Sequence, residues 1–264
     1  MCLIIFAHRM WPQHPLVLAA NRDEFYARET TSSAFWPEYP ELLAGRDKQA
    51  GGTWMGVTRR GRFAAITNYR DPATTIKAPR SRGELPLDFL TGDTLPPIYL
   101  GEIAKRASEY AGFNLLLGDG ECLWHFNNRG AAGACTPNPP EPLPPGIYGL
   151  SNAQLNTPWP KVELGKARLT QLLTSGVPDH DSLAGLINDK QTASAAALRL
   201  SGMETEMERV LSAQFIQTSE YGTRSSTTMW INDTQDVNWR ELSFDRLGGV
   251  SGTHQERFRV TKND

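Results

Sequence analysis

The stretch that decides the fold is residues 2–25, CLIIFAHRMWPQHPLVLAANRDEF. Two short apolar runs within it, CLIIFAH and PLVLAAN, are joined by a polar connection. Runs of this length and composition predict two neighbouring β-strands that are buried in one sheet. Cys2 stands at the start of the first strand, and removal of Met1 would make it the N-terminal residue. Its thiol would then share a residue with a free amine, which places a base beside a nucleophile.

The length and charge of the chain favour one domain that handles a small molecule. The 264 residues fit one large domain or two small ones, and no seam divides them, so we predict a single domain over residues 1–264. Proline lacks the ladder donor, so the sequence TPNPPEPLPPG predicts a Pro-rich loop at 136–146. The 27 basic residues balance 29 acidic residues, which provides no net field to attract nucleic acid or anionic lipid.

Cysteine usage and hydropathy predict a soluble cytoplasmic protein. Cys2, Cys122 and Cys135 are an odd number at wide spacing, which argues against a disulfide scaffold or a structural zinc site. The apolar opening CLIIFA is shorter than a signal-peptide core. No stretch approaches the roughly 18 apolar residues of a membrane span. We therefore expect no stable membrane insertion, no metal and no required cofactor, and the pattern does not indicate an oligomeric state.

The remaining pattern predicts an α+β fold in which helices cover sheets. Two hairpins are predicted, TWMGVT with RFAAITN around RRG, and FNLLLG with CLWHFN around DGE. Helices are predicted in SRGELPLDFLTG and LPPIYLGEIAKRASEYAG, and over residues 160–175, 181–189 and 203–212. The strands predicted near the end are AQFIQT, RSSTTMWIND, VNWRELSFD and ERFRVT.

Polar residues follow or interrupt these strands in clusters, where strand ends can present side chains to a shared cleft. The candidates are Cys2, Asn21, Arg22, Asp23 and Glu24 in ANRDEF, Asn68 and Arg70 in TNYR, Asn152 in YGLSN, and Arg224 in YGTRSST. A cysteine hydrolase attacks with its thiolate, so a thiol of pKa about 8.5 needs a base or nearby positive charge. A free α-amino group on Cys2, of pKa about 7.7 to 8.0, is partly neutral at pH 7 and can serve as that base.

Each other candidate suits one further role in such a reaction. Arg22 and Arg224 can favour the neutral amine and the thiolate. Asp23 can accept a hydrogen bond from the amine and orient it. Asn68 and Asn152 can donate hydrogen bonds without changing charge, which suits an oxyanion hole.

Structural interpretations of the same residues stay open. A cysteine at the start of a strand is most often a packed core thiol. The segment NRDE can be a surface turn with internal ion pairs, and isolated asparagines often cap strand ends. The glycine-rich AGRDKQAGGTWMG has neither the Lys-Ser/Thr ending of a P-loop nor G-x-G-x-x-G spacing, so it gives little support to nucleotide binding.

Eight motifs in one order carry a family resemblance. They are Cys2, NRDE at 21–24, AGRD at 44–47, GGTW at 51–54, TNYR at 67–70, SRG at 81–83, YGLSN at 148–152 and YGTRSST at 221–227. Together they resemble the NRDE family, also called the transport and Golgi organisation protein 2 family. That family is similar to N-terminal-nucleophile hydrolases of the choloylglycine hydrolase and penicillin V acylase type. The resemblance implies a four-layer αββα sandwich with the nucleophile on its first strand.

The resemblance also implies an activity and a set of site residues. A small amide or thioester would be attacked by Cys2, with the amine held by Asp23, the oxyanion bound by Asn68 and Asn152, and the thiolate supported by Arg224. The residues expected to contact substrate are Asn21, Arg22, Arg46, Trp54 and Arg70. One position departs from the acylases, which carry an arginine three residues before the aspartate, where this chain has Ala20. Arg22 adjoins Asp23 instead, and adjacent strand residues face opposite sides.

Two non-catalytic alternatives remain. The resemblance implies that the chain could bind or traffic haem and take part in lipid or acyl-coenzyme A homeostasis. Haem would be held by a Cys thiolate or by a histidine such as His8, His14 or His125, although no paired ligand spacing indicates this. The Pro-rich segment 136–146 could instead dock to a groove on a protein partner.

Overall fold

The computed structural model describes residues 2–70, 78–130, 140–176, 178–200 and 205–261. Its strands are β1 (Cys2–Trp11), β2 (His14–Phe25), β3 (Thr30–Trp36), β4 (Tyr39–Asp47), β5 (Met55–Thr58), β6 (Phe63–Asn68), β7 (Phe113–Gly118), β8 (Leu123–Asn127), β9 (Glu141–Pro142), β10 (Gly146–Leu150), β11 (Tyr221–Ile231), β12 (Asp236–Phe244) and β13 (Val250–Arg259). Its helices are α1 (Glu84–Thr91), α2 (Pro96–Lys105), α3 (Pro160–Ser175), α4 (His180–Gly185), α5 (Ala195–Leu200) and α6 (Glu206–Leu211), with a 3-10 turn at Ala107–Glu109. The fold is therefore mixed α+β, as predicted.

The chain divides into two compact units, each built on one sheet. Unit 1 comprises the residues up to Ala27, Pro145–Ser151 and Leu155–Arg257. Unit 2 comprises Arg28–Pro144, Asn152–Gln154 and the residues from Phe258 onward. The single domain predicted over residues 1–264 stays a prediction.

Unit 1 contains a six-stranded sheet in the order β10-β1-β2-β11-β12-β13. The two apolar runs at the start of the chain form β1 and β2, which pair antiparallel, and β2 pairs with β11 on its other side. Helix α3 packs against β1 and β10. Gly165 permits this close approach, since a Cβ there would lie 2.6 Å from Cγ1 of the fully buried Ile5. The first strand is thereby enclosed by its two neighbours and a helix.

Unit 2 contains a seven-stranded sheet in the order β3-β4-β5-β6-β7-β8-β9. Both predicted hairpins are found here, as β5 with β6 and β7 with β8. Their connections contain Gly61 and Gly120, which have φ angles of 81° and 88° and thus the left-handed backbone that favours glycine. Helix α1 packs against β4, β5 and β6, and the buried Phe89, Leu100 and Phe113 belong to one apolar cluster.

The structure differs from the sequence expectations in several elements, which include the unpredicted helix α5 and a helix predicted over 181–189 that ends at Gly185. AQFIQT, predicted as a strand, forms only an isolated bridge between Gln217 and Gly222, because the backbone N–H groups of Gln214 and Phe215 both donate to the carbonyl of Asp189. Strands β3 and β4 were not predicted. Of the Pro-rich segment 136–146, residues 136–139 lie outside the described residues, and the short strand β9 lies within the remainder.

No helix in the part of the chain that the structure describes is both long enough and apolar enough to span a membrane.

Candidate active site

The start of β1 brings Cys2 and the NRDE segment together in unit 1. Cys2 lies directly opposite Arg22 in the β1–β2 register. Side chains directly opposite each other on antiparallel strands project from the same face, so Arg22 shares a face with the thiol. Asp23, the next residue, lies opposite Thr223 of β11. Adjacent strand residues face opposite sides of a sheet, so the side chains of Arg22 and Asp23 point in opposite directions. The charges of both residues nevertheless act on the Cys2 thiol.

The surroundings of Cys2 oppose formation of its thiolate. Burial raises the pKa of the thiol, and the carboxylate of Asp23 raises it further. The charge of Arg22 and a hydrogen bond from the backbone amide of Asp23 act in the opposite direction. The strand itself is fixed by Ser151, whose hydroxyl donates to the Cys2 carbonyl over 2.9 Å. Because the pKa is raised overall, the thiol needs a base before it can react.

Asp23 is a buried carboxyl group held by a threonine. The Thr223 hydroxyl donates to Oδ1 of Asp23 over 2.7 Å. Burial raises the pKa of the carboxyl group, whereas Lys161, the Thr223 hydrogen bond and Arg22 lower it. These three groups therefore favour the ionised form against the cost of burial.

Lys161 is a site residue that the sequence reasoning missed. It lies in the first turn of α3 and is only 3% exposed, and its ammonium group donates to the Leu211 carbonyl over 2.9 Å. Lysine is almost never fully buried, so the residues around Lys161 in the sequence did not indicate that it lies buried near Asp23. The one available sign was its place directly after SNAQLNTPWP, which overlaps the quoted YGLSN motif.

Tyr221 is a second residue that was missed. Its phenol donates to the Asp23 backbone carbonyl over 2.8 Å. Burial raises the pKa of the phenol far above its ordinary value, and the neighbouring Asp23 and Cys2 add to the increase. Tyr221 therefore stays a neutral donor beside the thiol. It is the first residue of the YGTRSST motif, in which only Arg224 was singled out.

Arg224 occupies an irregularity in β11, where the pairing with β2 shifts between Thr223 and Ser225. One guanidinium nitrogen donates to the Phe25 carbonyl over 3.0 Å, and the group lies 5.7 Å from the ring centroid of Tyr26. Burial lowers its pKa, and the like charge of Arg22 lowers it further. Arg224 thus lies near the NRDE segment, and its expected support of the thiolate stays a prediction.

Asn21 is bound within the core of unit 1. Its amide nitrogen donates to the carbonyls of Ile187 and Gln214, and its oxygen accepts from the Ser226 hydroxyl over 2.5 Å. Both amide hydrogens are therefore used inside the fold. This is the geometry of a core anchor, and the substrate contact expected for Asn21 stays a prediction.

The two asparagines expected to bind an oxyanion meet in unit 2. The Asn152 amide nitrogen donates to the Asn68 carbonyl over 2.7 Å. The Arg70 backbone N–H donates to the Asn152 carbonyl over the same distance. Asn68, Arg70 and Asn152, which are far apart in sequence, are therefore joined directly.

Asn114, which the sequence reasoning missed, supports this group. It is fully buried in β7, and its amide nitrogen donates to the Thr67 hydroxyl over 3.1 Å and to the Ala153 carbonyl over 3.0 Å. Thr67 and Ala153 are the chain neighbours of Asn68 and Asn152. One buried amide thus connects both segments that carry the candidate oxyanion donors.

Arg46 and Trp54 also lie in unit 2, and the Trp54 carbonyl accepts from the Ile66 backbone N–H over 2.9 Å. Arg46 forms an ion pair with Glu38 and lies 4.4 Å from the ring centroid of Trp36. Trp54 packs against Gly45, where a Cβ would come within 2.3 Å of the indole ring. Their expected contacts with substrate stay predictions.

The histidines considered for haem lie within the sheets. His8 and His14 are buried, and burial lowers the pKa of each. The His125 ring nitrogen Nε2 lies 3.3 Å from Oδ1 of Asn114, and burial lowers its pKa to about 4. Among the described residues, no group of three or more His, Cys, Asp or Glu side chains is placed to hold a metal ion.

The sequence matches a known family over most of its length. The family model described as Transport and Golgi organisation 2 covers residues 1–246. The chain belongs to this family. Its homologue from Bos taurus, named "Transport and Golgi organization protein 2 homolog", is 36% identical, with 100% of this chain and 98% of that protein covered. The Homo sapiens homologue is 35% identical, with 92% and 93% covered. The family resemblance predicted from the motifs is confirmed.

Among solved structures, this Transport and Golgi organisation 2 family member is similar to an amidase. The Caenorhabditis elegans N-acylethanolamine-hydrolyzing acid amidase ortholog matches with a TM-score of 0.50 and 11% sequence identity. The likeness covers 87% of this chain and 92% of that one. At this level of identity it shows the fold, which is that of N-terminal-nucleophile hydrolases, as the motifs predicted.

Proposed function

We propose that this protein is a cysteine amidohydrolase that cleaves a small linear amide or thioester. The observation that carries the proposal is the position of Cys2 at the start of β1, opposite Arg22 and beside the buried carboxyl group of Asp23. The similar structure is named for hydrolysis of N-acylethanolamines, which supports an acyl amide as the substrate class.

The proposed reaction begins with removal of Met1, which lies outside the described residues. The free amine of Cys2 then accepts the thiol proton. Asp23 accepts a hydrogen bond from the amine and orients it. Asn68 and Asn152 keep the oxyanion role expected from the sequence.

The chemical steps follow from these roles. The thiolate sulfur forms a bond to the carbonyl carbon, and the bond from carbon to the leaving nitrogen or sulfur breaks. The leaving group takes the proton held by the Cys2 amine. Water then attacks the acyl-enzyme, which releases a carboxylic acid and restores the thiol.

Labelling with a fatty acyl chloromethyl ketone, followed by intact-mass measurement and peptide mapping, tests the proposal. We expect loss of Met1 and a single thioether adduct on Cys2. Cys2→Ala should abolish labelling, whereas Cys122→Ala, which removes an exposed thiol, should not change it. Retention of Met1 together with an unlabelled Cys2 would contradict the proposal.

The substrate class is tested by turnover. Purified protein lacking Met1 is incubated with short and long acyl ethanolamides and with acyl thioesters, and the released acid is measured. Cleavage that is lost in Cys2→Ala and strongly slowed in Asp23→Asn supports the assignment. Turnover unaffected by Cys2→Ala would contradict it.

Haem binding, the alternative implied by the family resemblance, and a cytoplasmic location stay predictions. Titration with haem tests the first. A saturable Soret shift that Cys2→Ala abolishes would support thiolate ligation, and the absence of a saturable shift would end the alternative.

A further inference from the structure

Unit 1 contains a groove of about 580 Å³ that none of the candidate site residues lines. It is formed by the segment after α4, the end of α6, residues 213–219 and the turn between β12 and β13. Grooves of this volume accommodate small organic molecules. The chemistry of the lining therefore indicates which molecule would fit.

The floor of the groove is apolar. Ala213, Phe215 and Ile216 contribute buried side chains to it. Leu247 forms part of the wall and is 81% exposed, which leaves a large apolar side chain in water. An aliphatic or aromatic part of a ligand would remove this surface from water.

Two cations flank that floor. Lys190 donates to Oε1 of Gln217 over 3.3 Å, and its ammonium nitrogen lies 4.9 Å from the ring centroid of Phe215. Arg246 lies 5.7 Å from the ring centroid of Tyr26. Among the described residues that line the groove there is no Asp or Glu. The lining thus carries positive charge without a carboxylate of its own.

The turn that carries Arg246 is held in place by its own hydrogen bonds. The adjacent carboxylate, Asp245, accepts from the backbone N–H groups of Leu247 and Gly249 over 2.8 and 2.9 Å. Gly248 has a φ angle of 74°, and a Cβ there would lie 3.2 Å from the ammonium nitrogen of Lys190. The segments that carry the two cations therefore lie side by side.

We propose that this groove binds a small amphipathic anion, with a carboxylate or phosphate group held between Lys190 and Arg246 and an apolar chain lying on Phe215 and Leu247. Charge complementarity selects the anion, because both flanking charges are positive. The apolar floor selects a chain over a bare inorganic ion. The proposal does not depend on the hydrolase function, since it concerns binding alone.

Calorimetric titration of the full chain with octyl phosphate and with octanoate tests the proposal. We expect saturable binding of at least one of the two, and their comparison shows which head group is preferred. Neutralising both cations in Lys190→Gln/Arg246→Gln should weaken binding roughly tenfold or more, because the anionic head group loses both of its positively charged partners. The matched control Arg257→Gln removes an exposed cation of unit 1 outside the groove and should leave binding unchanged.

Two further ligands and one further variant complete the test. Inorganic phosphate and octyl glucoside should each bind at least roughly tenfold more weakly than the preferred octyl anion. Phosphate lacks the apolar chain, and octyl glucoside lacks the negative charge. Equal affinity for either of them, or unchanged affinity in the double variant with its melting temperature retained, would overturn the proposal. Loss of binding in Cys2→Ala would place the ligand at the candidate active site and overturn it as well.

Discussion

Burial works against the charged forms of both Cys2 and Asp23. The thiol and the carboxyl group each have a raised pKa, with burial as the largest cause. A hydrolase of the proposed kind needs Asp23 ionised, so the groups that lower the pKa of Asp23 support the proposed reaction. Lys161 contributes most among the charged side chains near Asp23. A lysine on a helix that is far away in sequence thus helps to keep Asp23 ionised.

Lys161→Met should shift the acid limb of the pH–rate profile for Cys2 labelling to higher pH. Without the ammonium group the Asp23 carboxyl titrates at a higher pKa, so the ionised form is lost earlier as pH falls. We expect the rate of Cys2 labelling to fall off at a higher pH in the variant than in the wild type. The measurement is that rate as a function of pH in the wild type and the variant.

The control for this change is Lys166→Met on the same helix. Lys166 pairs with Glu163 over 3.3 Å and is not among the main causes of the change in the Asp23 pKa. Its acid limb should match that of the wild type. An unshifted limb in Lys161→Met, with the melting temperature retained, would show that Lys161 has only a structural role.

Strand β7 carries a buried asparagine, Asn114, that forms hydrogen bonds to other segments of unit 2. Its residue Asn114 accepts from the Asn127 amide over 2.5 Å and donates to Thr67 and Ala153. The segment 152–154 is therefore held by a side chain in the middle of a sheet. Regular strand pairing positions this side chain, and the hydrogen bonds then position the segment.

Asn114→Leu should destabilise the fold by about 1–3 kcal/mol, because its partners lose a buried hydrogen bond. Amide hydrogen exchange in residues 152–154 should become faster. The matched control is Asn128→Leu, since Asn128 is equally buried but bonds with Phe113, Ala107 and Ala111. Faster exchange at 152–154 in both variants would contradict a specific role for Asn114.

Each unit contains a histidine whose protonation the folded chain opposes. Burial lowers the pKa of His125 in unit 2 and of His180 in unit 1 to about 4. His180 Nδ1 lies 2.8 Å from the Thr228 hydroxyl, and its ring packs on Trp230. In the unfolded chain both histidines titrate near 6.5. Stability from these groups is therefore complete above about pH 6.5 and is lost as pH falls toward 4.

The melting temperature should accordingly fall between pH 7 and pH 4.5, and less steeply in the double variant His125→Gln/His180→Gln. The unfolded state binds protons in this range that the folded state does not. Scanning calorimetry across the pH series measures the difference. Identical slopes in the double variant would contradict the assignment.

The sequence by itself determined the parts of this protein that depend on neighbouring residues. The runs CLIIFAH and PLVLAAN, the glycine turns of two hairpins and the span of α3 were all readable, because periodicity and turn chemistry are local. The ordered motifs identified the family.

Only the tertiary structure decided which distant groups share an environment. Lys161 beside Asp23, the Tyr221 phenol on the Asp23 carbonyl, and Asn114 between Thr67 and Ala153 all join segments far apart in the chain. AQFIQT does not form a strand for the same reason, since the backbone N–H groups of Gln214 and Phe215 donate to the carbonyl of Asp189. Burial, hydrogen bonding and charge act through space, so no pattern of adjacent residues could predict them.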